Sequence, residues 1–348
     1  MSIKISIAPR TLHFKQPAGT SRGVYTTRQS WFVTATDNAH PDIRGVGECA
    51  PLPDLSCDAT PNYEERLKEL CNMVEAKGSI DYDTLRPYPS VLFGLETALL
   101  DLKRGGTGVL FDNSFARGEA GIPINGLVWM GNYDEMLQRL EEKMRAGFRC
   151  VKLKIGAIDF DRELDLVRHI RSAFTKEQIE LRVDANGGFT ADCALQRLER
   201  LAQYDIHSIE QPIRQHQWEE MAALCKATPI PIALDEELIG VNDKTEKEEL
   251  LDRIRPHYII LKPSLHGGMY GSREWIALAG KRGIGSWITS ALESNVGLNA
   301  IAQFAADVYG ESITMPQGLG TGQLFTDNIP MPLEIRGDKL WRTFKATK

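Results

Sequence analysis

VKLKIG at 151–156, LRVDAN at 181–186, SIEQP at 208–212, IALDEE at 232–237 and IILKPS at 259–264 are five short apolar runs that each end in charged side chains. Their markers, Lys154, Asp184, Glu210, Asp235 and Lys262, follow one another at intervals of 25 to 30 residues. That interval fits one strand plus one helix. A functional group at every strand's carboxyl end is what a (β/α) barrel needs to converge several side chains on one point. Residues 151–264 therefore predict an α/β chain built on a barrel whose mouth holds three carboxylates flanked by ammonium groups.

Alternate residues of a strand share a face, so Lys152 and Lys154 point one way while Val151, Leu153 and Ile155 point the other. A lone K-x-K reads most simply as a solvated edge. The carboxylates that follow move both lysines into the site. Three acids converging from successive strand ends repel one another and would have to take up protons unless a cation sits among them. Oxygen donors suit a hard divalent ion, Mg²⁺ with Mn²⁺ as its substitute. Asp184, Glu210 and Asp235 are the expected ligands, with Glu236 behind them. Among the histidines only His266, just past Lys262, is a site candidate, the rest reading as structural.

Working outward, residues 119–318 supply the strand and helix units of the barrel. IPINGLVWM opens them and SITMP, at 312–316, is expected as the eighth strand. The seventh strand runs into its helix through a polar knuckle at 290–295, where backbone N–H groups at a helix start suit a substrate carboxylate. Ser290 and Ser294 serve equally well as helix caps. Residues 1–118 read as a separate α+β cap. It starts with extended runs at 3–14 and 22–36 joined by the Gly- and Pro-containing QPAGTSRG, and a third strand falls near 43–49. A proline-rich loop, APLPDLSCD, and two helices complete it. Glu96 and Asp101 in the second helix read as ordinary helix polarity. The tail, 319–348, is expected to return to the cap, giving a modified TIM barrel of the (β/α)7β type with an α+β capping domain formed from both ends of the chain.

Composition bounds the partners. The chain has 348 residues, 42% hydrophobic and 25% charged, enough for two domains. Its net charge of −6 argues against a nucleic-acid surface, while local lysines keep a small acidic substrate open. Cysteines at 49, 57, 71, 150, 193 and 225 form no C-x-x-C pair, so neither a disulfide framework nor a zinc site is expected. No run reaches membrane-span length and no signal peptide is evident, which points to the cytoplasm, with a homo-oligomer left open.

K-x-K at 152–154, D-A-N at 184–186, I-E-Q-P at 209–212, D-E at 235–236 and L-K-P at 261–263 together resemble the enolase superfamily, in the branch that includes muconate-lactonizing enzymes. GVGECAPLPDLS at 45–56, PSVLFGLETALLDL at 89–102 and TSALESNVGLNAIAQFAA at 289–306 are further similar to dehydrating members of that branch. The resemblance implies a metal-dependent lyase that removes a proton next to a carboxylate. Lys154 would be the base and then the acid that helps hydroxide leave. Lys152 would orient the carboxylate, and Lys262 would be an opposite-face acid/base or an electrostatic stabiliser. The amine that acts as base must be neutral, and crowded cations are expected to lower its pKa. Asn186, Ser290, Glu293, Ser294 and Gly320 are the expected substrate contacts, although GLGT at 318–321 departs from relatives that carry an acid at its third position. The alternative within the branch is epimerisation of a dipeptide or racemisation of an N-acylamino acid.

Overall fold

The computed structural model describes residues 2–20, 23–156, 158–310 and 313–343. Strands β1 (Ile3–Thr20), β2 (Gly23–Asp37) and β3 (His40–Cys49) form an antiparallel sheet. β1 runs on through much of the expected connection, re-entering register at Ala18 opposite Tyr25 after an irregularity beyond His13. The turn itself, at 21–22, lies outside the described residues.

Helices α1 (Tyr63–Lys77) and α3 (Pro89–Lys103) pack on this sheet, and the short α2 (Tyr82–Leu85) packs against α3. Gly78 ends α1 in the left-handed conformation, at φ 71°. Helix α3 presses so closely on β3 that a Cβ on Gly47 would lie 1.9 Å from the Gly94 carbonyl oxygen. Only glycine at that crossing lets the backbones meet.

The second unit begins with β4 (Ile122–Pro123) and β5 (Gly126–Val128). It continues through α4 (Tyr133–Arg145), β6 (Cys150–Lys154), α5 (Phe160–Ala173), β7 (Glu180–Asp184), α6 (Ala191–Ala202) and β8 (Ser208–Glu210). After these come α7 (Trp218–Ala227), β9 (Ile232–Leu234), α8 (Lys244–Ile254), β10 (Tyr258–Leu261), α9 (Gly268–Gly280), β11 (Gly285–Ile288) and α10 (Asn295–Tyr309). Strands β5 to β11 lie in sequence order as one parallel sheet. Outward-facing Val151, Leu153, Val183 and Ile209 join the helices in the main apolar core. Ala233, Ile260 and Trp287 form a smaller apolar cluster, with Tyr258 and Met315 packed against it. Below the mouth Arg182 is buried with its guanidinium 4.4 Å from the Trp287 ring, a cation over an aromatic face.

The eighth barrel position differs from expectation. The described part of SITMP forms no strand; instead Gln317 bridges Ile124 and Gly318 bridges Thr289. Pro316 has no N–H to give a ladder, so the seam is closed by these two residues.

The tail also divides its loyalty. Residues 324–327 dock on the cap, where Phe14 pairs with Phe325 and His13 with Asp327. Strands β12 (Leu333–Arg336) and β13 (Lys339–Arg342), however, join β4 rather than the cap sheet.

Two buried cap carboxylates lock the units together by occupying helix N-termini. Glu96 accepts from Met269 N at 2.6 Å and Tyr270 N at 2.9 Å, at the start of α9. Glu48 accepts from Ser294 N and Gly297 N, both at 2.9 Å, at the start of α10. A carboxyl there gives the unpaired N–H groups the acceptor they lack, and where it is ionised its charge also answers the helix dipole. Glu96 is thus a joint between units rather than surface polarity, and Asp101 similarly accepts from Val46 N and Gly108 N. The six cysteines are free. Among the described residues no helix is long and apolar enough to cross a membrane.

Candidate active site

Strand register assembles the site. Lys154 lies opposite Asp184, and Asp184 opposite Glu210, so three functional side chains form one row across β6, β7 and β8. The row continues to Ala233 on β9, and Asp235 follows two residues later on the same face. Lys262 directly follows β10, which stands four strands from β6. In a barrel with eight positions, four strands is half the circumference. Lys154 and Lys262 therefore approach the mouth from opposite sides.

A cavity of about 560 Å³ opens over this row. Lys152, Lys154, Asp184, Asn186, Glu210, Glu236 and Lys262 line its polar floor. Leu52 and Leu55 from the cap, with Leu265, Leu292 and Leu324, make an apolar wall. Ser290 and Gly320 also line it, as does Gln16 from the end of β1. The wall leucines and Gln16 escaped the sequence reading, because nothing local marks an ordinary leucine in a loop as a cavity residue.

The charges interlock. Lys152 Nζ lies 3.0 Å from Asp184 Oδ2 and 2.7 Å from Glu210 Oε2. Lys154 Nζ lies 3.1 Å from Asp184 Oδ2 and donates to Asn186 Oδ1 at 2.6 Å. Lys262 pairs with Asp235. Asn186, in the left-handed region at φ 43°, donates from Nδ2 to Glu236 Oε1 at 2.9 Å and so ties the third strand's exit to the fifth. Gln211 Oε1 accepts from Asp235 N and Glu237 N, steadying the turn that presents Asp235.

Burial works against an ammonium at Lys152, yet Asp184 and Glu210 outweigh it and push the lysine's pKa up. Lys262 moves the same way, burial again being overcome by Asp235 and by Glu236 behind it. At these two residues the shift runs against the lowering that crowded cations alone would give, because each ammonium has a carboxylate oxygen within hydrogen-bond reach. Burial would raise Asp184 too, but Lys152 and Lys154 hold it well below the usual carboxylate range. Burial, with Asp235 beside it, pushes Glu236 up to about 7.

The donor set fits a hard cation in its chemistry. Among the described residues Glu210 Oε1, Asp235 Oδ1 and Glu236 Oε2 are buried oxygens without a hydrogen-bond partner, and an orphaned buried carboxylate oxygen is costly. Among the described residues, however, no three acidic, histidine or cysteine groups are drawn around one point, because lysine ammoniums hold the carboxylates. Carboxylates committed to a divalent ion would release those ammoniums from the partners that keep them protonated.

Two expected substrate contacts lie elsewhere. Glu293 is fully buried: it pairs with Ser264 Oγ and accepts from Ala291 N at 2.6 Å. Ser294 is equally buried, and its hydroxyl meets Glu48 Oε2 at 2.5 Å and caps Val296 N at 3.1 Å. The helix start expected to receive a substrate carboxylate is already filled by Glu48. A carboxylate 246 residues away in sequence leaves no local signal. His266 is buried with Nδ1 accepting from Lys262 N at 2.9 Å, a backbone support for the strand end, and it does not line the cavity.

The enolase C-terminal domain-like family matches residues 135–337, and the MenC N-terminal domain family matches residues 20–102. An o-succinylbenzoate synthase from Desulfotalea psychrophila is 47% identical over 369 aligned positions, which cover 97% of this chain and 98% of that protein. The crystal structure of MenC from the same organism superposes with a TM-score of 0.82 at 43% identity, covering 98% of this chain and all of that one (100%). A dipeptide epimerase from Enterococcus faecalis, solved with Mg and the dipeptide L-Leu-L-Tyr, shares the fold at a TM-score of 0.82 and 19% identity, over 99% of this chain and 98% of its own. Barrel match, cap match and full-length relative agree: the chain belongs to the enolase superfamily, in its o-succinylbenzoate synthase family.

Proposed function

We propose that the chain is a metal-dependent dehydratase that converts 2-succinyl-6-hydroxy-2,4-cyclohexadiene-1-carboxylate to 2-succinylbenzoate, a step of menaquinone biosynthesis. The observation that carries the chemistry is the position of Lys154 at the cavity floor, its Nζ held between Asp184 Oδ2 and Asn186 Oδ1. The nearly full-length relative at 47% identity carries the choice of substrate.

Asp184, Glu210 and Asp235 would hold a divalent ion, Mg²⁺ in this reading with Mn²⁺ able to replace it. That ion supplies positive charge against the substrate carboxylate as negative charge develops on its oxygens. Lys154, as a neutral amine, takes the proton from the carbon bearing the carboxylate. The electron pair of that C–H bond becomes the new ring double bond as the neighbouring C–OH bond breaks. Lys154 then returns its proton to the departing hydroxide, so that water and an aromatic ring result. A positioned base of this kind contributes about 10² to 10⁴ in rate. Lys152 orients the carboxylate, and Lys262 faces the ring from the opposite side. The leucine wall suits a six-membered carbocycle and sheds water from around it.

Paired lysines on opposite sides also suit epimerisation of a dipeptide or racemisation of an N-acylamino acid, which is the second reading. Incubation of the purified chain with the cyclohexadiene carboxylate, and in parallel with dipeptides and N-acylamino acids in D₂O, separates the two. Dehydration of the first with little exchange into the others supports the proposal; α-deuterium exchange into the others without dehydration overturns it.

A further inference from the structure

We propose that Arg28 is a positioning residue for this active site, clamping the cap loop at 50–55 to the seventh-strand turn at 290–292 and so fixing both halves of the cavity's apolar wall. Arg28 projects from β2, is 2% exposed and does not line the cavity. Its Nη1 donates to Pro51 O and its Nη2 to Ala50 O, each at 2.5 Å, in the cap loop. Its Nε donates to Leu292 O at 3.3 Å and its Nη2 also reaches Ala291 O at 3.4 Å, in the turn. One planar guanidinium thus collects four carbonyls from two segments that are far apart in the chain. Leu52 on one segment, and Ala291 and Leu292 on the other, face the cavity.

The turn needs such a grip. Leu292 is held at φ 64°, a left-handed backbone that a leucine rarely adopts, and its carbonyl is one of the four. Glu293 secures the other side of the turn through Ala291 N. Burial works against the charge on Arg28 and lowers its pKa, and the carboxylates of Glu293 and Glu48 nearby counter this only in part. Arginine alone has the fork for this task; a lysine in its place keeps the charge but offers a single point of donors. Among the described residues its hydrogen bonds go to the cap loop and the turn, and not to the strands that carry Lys154, Asp184 and Glu210. Arg28 therefore acts on how the substrate is seated, not on proton transfer.

The kinetic part of the test rests on the dehydratase reading, and the exchange part does not. Arg28→Lys is expected to raise KM at least tenfold while the pH profile of kcat keeps its midpoints. Amide hydrogen exchange of the ligand-free full chain is expected to speed up together in peptides covering 50–56 and 290–295, and to stay unchanged in β6 and β7. In the wild-type chain those two peptides are expected to open together, with matched exchange across low urea concentrations. An unchanged KM, a shifted pH profile, a general rise in exchange across the barrel, or unmatched opening of the two peptides in the wild type would each overturn the clamp. If the wild-type chain does not dehydrate the cyclohexadiene carboxylate, the dehydratase reading fails and the exchange measurements still decide the clamp.

Discussion

Glu48→Gln tests the joint between cap and barrel with the smallest change of shape. Glu48 accepts from Ser30 Oγ at 2.8 Å, Ser294 N at 2.9 Å, Ser294 Oγ at 2.5 Å and Gly297 N at 2.9 Å. A glutamine oxygen can keep the first two. Its amide NH₂ then faces Gly297 N, donor against donor, while the Ser294 hydroxyl can rotate to accept. One buried backbone N–H loses its partner, which costs about 1–3 kcal/mol. Loss of the negative charge at the α10 N-terminus adds about 0.3–2 kcal/mol. The sum centres on about 3 kcal/mol of destabilisation, read as the difference in equilibrium urea unfolding between variant and wild type. A variant within about 0.5 kcal/mol of wild type, the range of an ordinary surface change, would refute the reasoning.

Gly47→Ala places a methyl where only 1.9 Å separates it from the Gly94 carbonyl oxygen, so β3 and α3 must part; a loss of about 1–3 kcal/mol in urea unfolding is expected, and wild-type stability would contradict the packing. Burial pushes the Glu96 carboxyl up to about 8 despite the two N–H donors that pull it down. Its folded pKa exceeds its unfolded one, so between about pH 4.5 and 8 the folded state keeps a proton the unfolded state has lost, and this group's contribution to stability falls as pH rises. Glu96→Gln should flatten that part of the stability-against-pH curve, and an unchanged slope would show that another group sets it. Chelation with EDTA should abolish turnover and added Mg²⁺ should restore it, with Mn²⁺ also active; full activity in EDTA would remove the metal from the account. Asp235→Asn should weaken metal binding measured by calorimetry, whereas wild-type affinity would take Asp235 out of the ligand set.

The barrel and its charged mouth were legible because each functional group sits at the end of its own strand. Lys154, Asp184 and Glu210 need only a strand-and-helix spacing and a two-residue alternation to converge, and both are local features. What stayed hidden depends on contacts between distant segments. Glu48 and Ser294 are 246 residues apart, Arg28 and Leu292 are 264 apart, and Glu96 and Met269 are 173 apart. Each pair consists of a commonplace residue and a backbone group, neither of which carries a pattern. The knuckle at 290–295 reads in sequence as a place for a substrate carboxylate, whereas in the fold Glu48 takes that helix start. The eighth strand failed for a different reason: Pro316 and the pair Gln317 and Gly318 close the seam through isolated bridges, which leave no alternating run to read.

The most direct measurement is turnover of the cyclohexadiene carboxylate by Lys154→Ala beside the wild-type chain, with Mg²⁺ binding and thermal unfolding followed on both. The account predicts a rate lower by about 10² to 10⁴ with fold and metal binding retained, because only the base has been removed. Turnover at the wild-type rate by the folded, metal-bound variant would contradict it.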